Sequence, residues 1–152
     1  MLWFKRIGMT LGVIAAAAGI AYFALWKYAE TYSFAPGDPG QAQLAEEYAQ
    51  CAGYYRVMLS SLNKEHPDYL EQERQYTREF EHHIKMGFNF SPDKALFKAR
   101  VEKASSRFAD EVRMAANTEN VLELVDKKMH QCFDVFFRGA AFVERKLQER
   151  NK

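Results

Sequence analysis

The sequence predicts an all-α protein: a single N-terminal transmembrane helix followed by an up-down-up-down four-helix bundle. Three observations predict it. Residues 7–26 read IGMTLGVIAAAAGIAYFALW, without one charge. Beyond them, apolar residues recur at alternating spacings of three and four, the period of an amphipathic helix. The four prolines stand in a linker or where helices begin, and none interrupts an apolar periodicity.

The uncharged run spans about 30 Å as a helix, the thickness of a bilayer's hydrocarbon core. Trp3 and Phe4 precede it, and Tyr22, Trp26 and Tyr28 close it, as interfacial aromatic belts would. Lys5 and Arg6 lie before the run and only Lys27 lies soon after it. That bias places the N-terminus in the cytoplasm and the C-terminal domain across the membrane. In a bacterium this means a single-pass inner-membrane protein with a periplasmic domain. A cleaved signal peptide ending at Ala16-Ala17-Ala18 is the rival reading. The apolar run continues through Ile20, Phe23, Leu25 and Trp26, which favours an uncleaved anchor. Gly8 and Gly12, with Ala15 and Gly19, give small-xxx-small spacings that would let a second membrane helix pack closely.

The chain therefore divides into an anchor at 1–31, a Pro/Gly linker at 32–40 and a four-helix domain at 41–152. The linker reads YSFAPGDPG from Tyr32 to Gly40. A first helix is expected from Asp38-Pro39 to about Asn63, with Leu44, Tyr48, Cys51, Tyr55, Met58 and Leu62 as its stripe. A second runs from about Pro67 to Gly87, burying Tyr69, Tyr76, Phe80 and Ile84, with His83 at the boundary of its apolar face. Ser91-Pro92 reads as an N-cap followed by proline at the first helical position. The third helix then carries Phe97, Val101, Ala104, Phe108, Val112 and Ala115. Asn117-Thr118 supplies a stop and a new cap. The fourth helix, about Glu119 to Glu149, presents Leu122, Val125, Met129, Cys132, Phe136, Ala140, Val143 and Leu147.

Cys51 and Cys132 lie near the middles of the first and fourth helices, both on the expected core stripe. These two helices are neighbours in an up-down-up-down bundle, so the sequence predicts a disulfide, which requires an oxidising compartment. The word CAGYYR at 51–56, with the late Cys132, resembles small secreted helical proteins of bacteria; the resemblance implies no activity.

No catalytic constellation emerges. Ser60, Ser61, Ser105 and Ser106 fall inside expected helices, without a nucleophile elbow, and no phosphate loop occurs. Glu79, His82 and His83 form one Glu-x-x-His with an adjacent histidine, whereas a di-metal bundle needs two such motifs on different helices. The two histidines point about 100° apart. A solvated helix surface is the expectation for this group, and no metal, cofactor or small-molecule substrate is assigned. With 21 Lys+Arg against 20 Asp+Glu, the net charge of +1 argues against nucleic acid.

Leu124, Val135 and Phe142 lie about 100–120° from the main stripe of the fourth helix and would form a second apolar ridge. Phe88 and Phe90 add apolar residues in the connection before the third. These five are the expected partner-binding residues, unless the fourth helix is central and buries the ridge. The expected function is therefore non-enzymatic: a membrane-anchored accessory or adaptor subunit of a bacterial envelope complex, contacting the lipid bilayer and another membrane or envelope protein. The alternatives are a metal- or cofactor-binding bundle and a phage-type envelope protein.

Overall fold

Asp38 opens the first helix with its own side chain, whose Oδ1 accepts a hydrogen bond from the Gly40 N–H at 2.9 Å, while Pro39 occupies the first helical turn. The missing proline N–H costs nothing there. The computed structural model describes residues 38–115 and 117–150. Over that span the chain forms four helices: α1 (Pro39–Ser60), α2 (Tyr69–Phe90), α3 (Lys94–Met114) and α4 (Thr118–Arg150). Among the described residues there is no strand, and no helix is long and apolar enough to cross a membrane. The expected anchor at 7–26, its small residues Gly8, Gly12, Ala15 and Gly19, and most of the linker lie outside the described residues.

Two boundaries depart from the sequence reading. Helix α2 continues to Phe90, because Gly87 sits inside it against the Phe97 ring, where any larger residue would collide. The cap of α3 is Asp93 rather than Ser91: Asp93 Oδ1 accepts from the Leu96 N–H at 2.9 Å. Ser91 instead donates from its hydroxyl to the Asp93 carbonyl at 2.9 Å, shaping the turn ahead of the cap. Asn117 does act as a cap, with Oδ1 accepting from the Asn120 N–H at 2.8 Å.

The centre of the domain is α1. It packs against α2, α3 and α4, whereas α2 and α3 meet only over a short stretch. Ten of its 22 residues are buried, against five of 33 in α4. Composition explains this. Ala45, Ala49, Ala52 and Gly53 keep its sides thin, so neighbouring backbones approach from several directions. The alternative that the fourth helix is central is thus corrected, although the ridge of Leu124, Val135 and Phe142 does pack against the core as that alternative held. At about 1.5 Å per residue, α4 is about 50 Å long and α1 about 33 Å, so part of α4 outreaches its main support.

Cys51 and Cys132 meet as a disulfide between α1 and α4, with Cα atoms 5.4 Å apart. The bond closes a sequence separation of 81 residues. In the chain-entropy account a loop of that size contributes about 4 kcal/mol by restricting the unfolded chain. Ion pairs join the same helices: Arg138 to Glu47 at 2.8 Å and Lys146 to Asp38 at 3.0 Å.

Candidate functional site

Two features stand out from the packed interior: an aromatic cleft that reaches the disulfide, and an exposed apolar face on α4. The cleft encloses about 270 Å³ between α1, α2 and α4. Tyr54, Tyr55, Tyr76, Phe133 and Phe136 supply aromatic wall, and Glu79, His82, His83 and Cys132 supply its polar and sulfur groups.

The group is not on a solvated surface: His83, expected at the boundary of the apolar face, is 1% exposed, and His82, expected in solvent, is 5% exposed. Both are buried because α1 presents Tyr48 and Tyr55 toward α2. The His83 ring centroid is 5.5 Å from that of Tyr48 and 5.2 Å from that of Tyr55. His82 lies 5.3 Å from His83, nearly perpendicular to it, and 5.2 Å from Phe136 of α4. The expected divergence of the two side chains is real, but each direction is covered by a different neighbour.

His83 Nδ1 lies 2.6 Å from the Glu79 main-chain oxygen. A carbonyl only accepts, so Nδ1 carries the proton and the neutral ring leaves Nε2 bare. Nε2 is buried without a hydrogen-bond partner. Burial pulls the His83 pKa below the ordinary histidine value, partly opposed by the main chains of Glu79 and Cys132. Burial likewise lowers His82 to about 3, with His83 and Lys85 adding to the shift. The Glu79 carboxyl is raised by burial, against the opposing effect of Arg78. Burial also pushes the Tyr54 hydroxyl up to about 12. The cleft therefore favours neutral groups throughout.

The ligand-bearing side chains that converge are Cys51, His83 and Cys132, whose potential donor atoms all lie within 4.8 Å of one another. Glu79 and His82, paired with His83 in the sequence reading, are not part of this group. Sequence reasoning took the cysteines and the histidines separately. The available signal was positional: His83 stands at the edge of an apolar face, and both cysteines stand at mid-helix.

The expected partner residues fare differently. Val135 and Phe142 are buried in the core, and Leu124 is half-buried against it. Phe90 is fully buried and stacks on Tyr48 at 5.5 Å. Phe88 is half-buried and packs edge-on against Phe97 at 5.3 Å. None of the five forms an open ridge. The physical reason is the rotation of α4. Gly139 faces the Tyr48 ring of α1, where a Cβ would collide, and Val135, Phe142 and Val143 are buried on the same side. Of the expected core stripe, Cys132 and Val143 are buried, whereas Leu122 is 64% and Met129 44% exposed. Phe133 and Phe137, outside both expected stripes, are 62% and 54% exposed beside them. At 100° per residue these four fall within about 80° of the helix circumference and extend over about 22 Å.

A larger groove of about 590 Å³ between α1, α3 and α4 carries several basic side chains. Most of them are paired there. Arg100 meets Glu46 at 3.4 Å, and Arg107 and Lys128 meet Glu111 at 3.0 and 3.9 Å.

Comparison with protein-family models, curated proteins and solved structures returns no match for this chain.

Proposed function

We propose that the protein is a membrane-anchored accessory or adaptor subunit of a bacterial envelope complex. In this reading residues 7–26 span the inner membrane with the N-terminus in the cytoplasm. Residues 41–152 form a periplasmic four-helix domain whose helices follow one another up and down. The domain acts by binding an apolar surface of another membrane or envelope protein, not by catalysis.

The observation that carries the reading is the α4 face of Leu122, Met129, Phe133 and Phe137. Phe133 and Phe137 pack edge-on with centroids 4.9 Å apart, so each ring supports the other. Prearranged aromatic side chains lose little conformational freedom on binding, and large aromatics dominate binding energy at interfaces. A contiguous exposed apolar patch is what partner surfaces display. The uncharged N-terminal run and the cysteine pair support the compartment, since such a staple persists where thiols are oxidised.

Extraction of the full chain in mild detergent, followed by affinity purification, tests this. One membrane or envelope protein should co-purify in fixed ratio and be lost from the Phe133→Glu variant, whose helical content should be unchanged. Recovery of a monomer alone from native membranes would contradict the proposal.

A further inference from the structure

We propose that, when the Cys51–Cys132 bond is reduced, Cys51, Cys132 and His83 form a buried Zn2+ site. This does not rest on the adaptor reading, since its three ligands lie in the interior of the helical domain.

The donor set comes from three helices. Cys51 stands on α1, His83 on α2 and Cys132 on α4, and their donor atoms lie within 4.8 Å of one another. Zinc thiolate bonds of about 2.3 Å in a tetrahedral arrangement place two sulfurs about 3.8 Å apart. With the Cα atoms 5.4 Å apart, rotation of the two side chains can open that spacing while the helices stay in place.

His83 is prepared as a ligand. Its Nδ1–H is committed to the Glu79 carbonyl at 2.6 Å, which fixes the ring and its tautomer. Zinc-bound histidines are held by this same kind of hydrogen bond from the nitrogen that does not bind metal. The other nitrogen, Nε2, is buried with no hydrogen-bond partner, on a side chain only 1% exposed. An unsatisfied buried nitrogen is costly, and a coordinate bond removes that cost.

Charge selects the metal class. Two thiolates and a neutral imidazole around a divalent ion sum to zero, so the complex can be buried among tyrosines and phenylalanines without stranding a net charge. Thiolate and imidazole donors together suit zinc. The cleft that reaches His83 and Cys132 gives the ion a route in and gives a water access to the fourth position.

The chemistry balances as follows. A dithiol reductant transfers two electrons and two protons to the Cys51–Cys132 bond and becomes a disulfide itself. The sulfur–sulfur bond breaks, leaving two thiols. Zn2+ then binds as both thiols release their protons to solvent. Oxidation by a disulfide-forming oxidant would reverse the sequence and expel the ion.

The test uses the full chain in detergent, reduced with a phosphine under nitrogen and titrated with Co2+ as a spectroscopic stand-in. One equivalent should bind, with sulfur-to-cobalt charge-transfer absorption and the visible bands of tetrahedral cobalt, and Zn2+ should displace it. The oxidised chain should show neither signal. His83→Ala should weaken binding by about tenfold or more. Because that variant removes a buried side chain, X-ray absorption on the zinc-loaded wild-type chain gives a second readout, expected to show two sulfur and two nitrogen or oxygen neighbours. Absence of the charge-transfer band from the reduced chain would overturn the proposal. So would undiminished binding by His83→Ala, or a zinc environment without sulfur.

Discussion

At the scale of single residues, His82 and His83 impose a pH dependence on the fold. Both sit buried and neutral, and burial holds His82 at about 3 against an ordinary value of 6.5. The unfolded chain takes up protons as pH falls below that ordinary value, whereas the folded chain resists until far lower. Stability is therefore fully present above the unfolded value and declines as pH falls through the window between the two. The slope approaches about 1.4 kcal/mol per pH unit for each such group. Thermal unfolding should show a lower Tm at pH 5 than at pH 7, and His82→Gln should narrow the difference. Equal Tm values at both pH values in the wild-type chain would show that the histidines are not held neutral by burial. This behaviour was not legible in the sequence. The spacing of Glu79, His82 and His83 says which way each side chain leaves α2, but not that Tyr48, Tyr55 and Phe136 cover both directions.

At the scale of elements, α1 shows how small residues set the architecture. A Cβ added at Gly53 would meet the Ala104 Cβ and the Ser105 main-chain nitrogen of α3, each at 2.7 Å. Intrinsic helix propensity favours alanine over glycine by about 1 kcal/mol, so in an open helix the exchange would stabilise. Here the added methyl forces two backbones apart, and Gly53→Ala should destabilise by about 1–3 kcal/mol, read from the urea midpoint. A gain in stability would show that α1 and α3 are not in such close contact. The stripe of α1 was readable from spacing because its apolar residues are interrupted on only one side by Glu46, Glu47 and Arg56. The face of α4 was not. That helix carries apolar residues around much of its circumference, so periodicity offers two stripes about 100° apart and leaves the choice to packing. The buried side draws on both, Cys132 and Val143 from one and Val135 and Phe142 from the other, around Gly139, which admits the Tyr48 ring. Helix starts were partly readable: helices begin at Asp38-Pro39 and at Asn117-Thr118 as expected, with Asp38 and Asn117 as the caps, whereas Asp93 displaces Ser91 because its carboxylate reaches the Leu96 N–H.

At the scale of the whole molecule, a nearly balanced charge of +1 conceals an uneven chain. An uncharged segment at 7–26 precedes a charge-rich helical domain that is stapled across its centre and, among the described residues, leaves the apolar face of α4 exposed. The disulfide was the most legible tertiary feature, because two mid-helix cysteines on core stripes constrain which helices are neighbours. The cleft beside it was not, because it needs the relative rotation of three helices. The central claim concerns the uncovered face, and site-specific photocrosslinking in intact cells tests it most directly. A photoreactive residue at Phe133 or Phe137 should yield one dominant crosslinked partner, while the same residue at exposed Glu102 of α3 should yield none of it. Equal crosslinking from both faces, or none from α4, would contradict an adaptor that binds through α4.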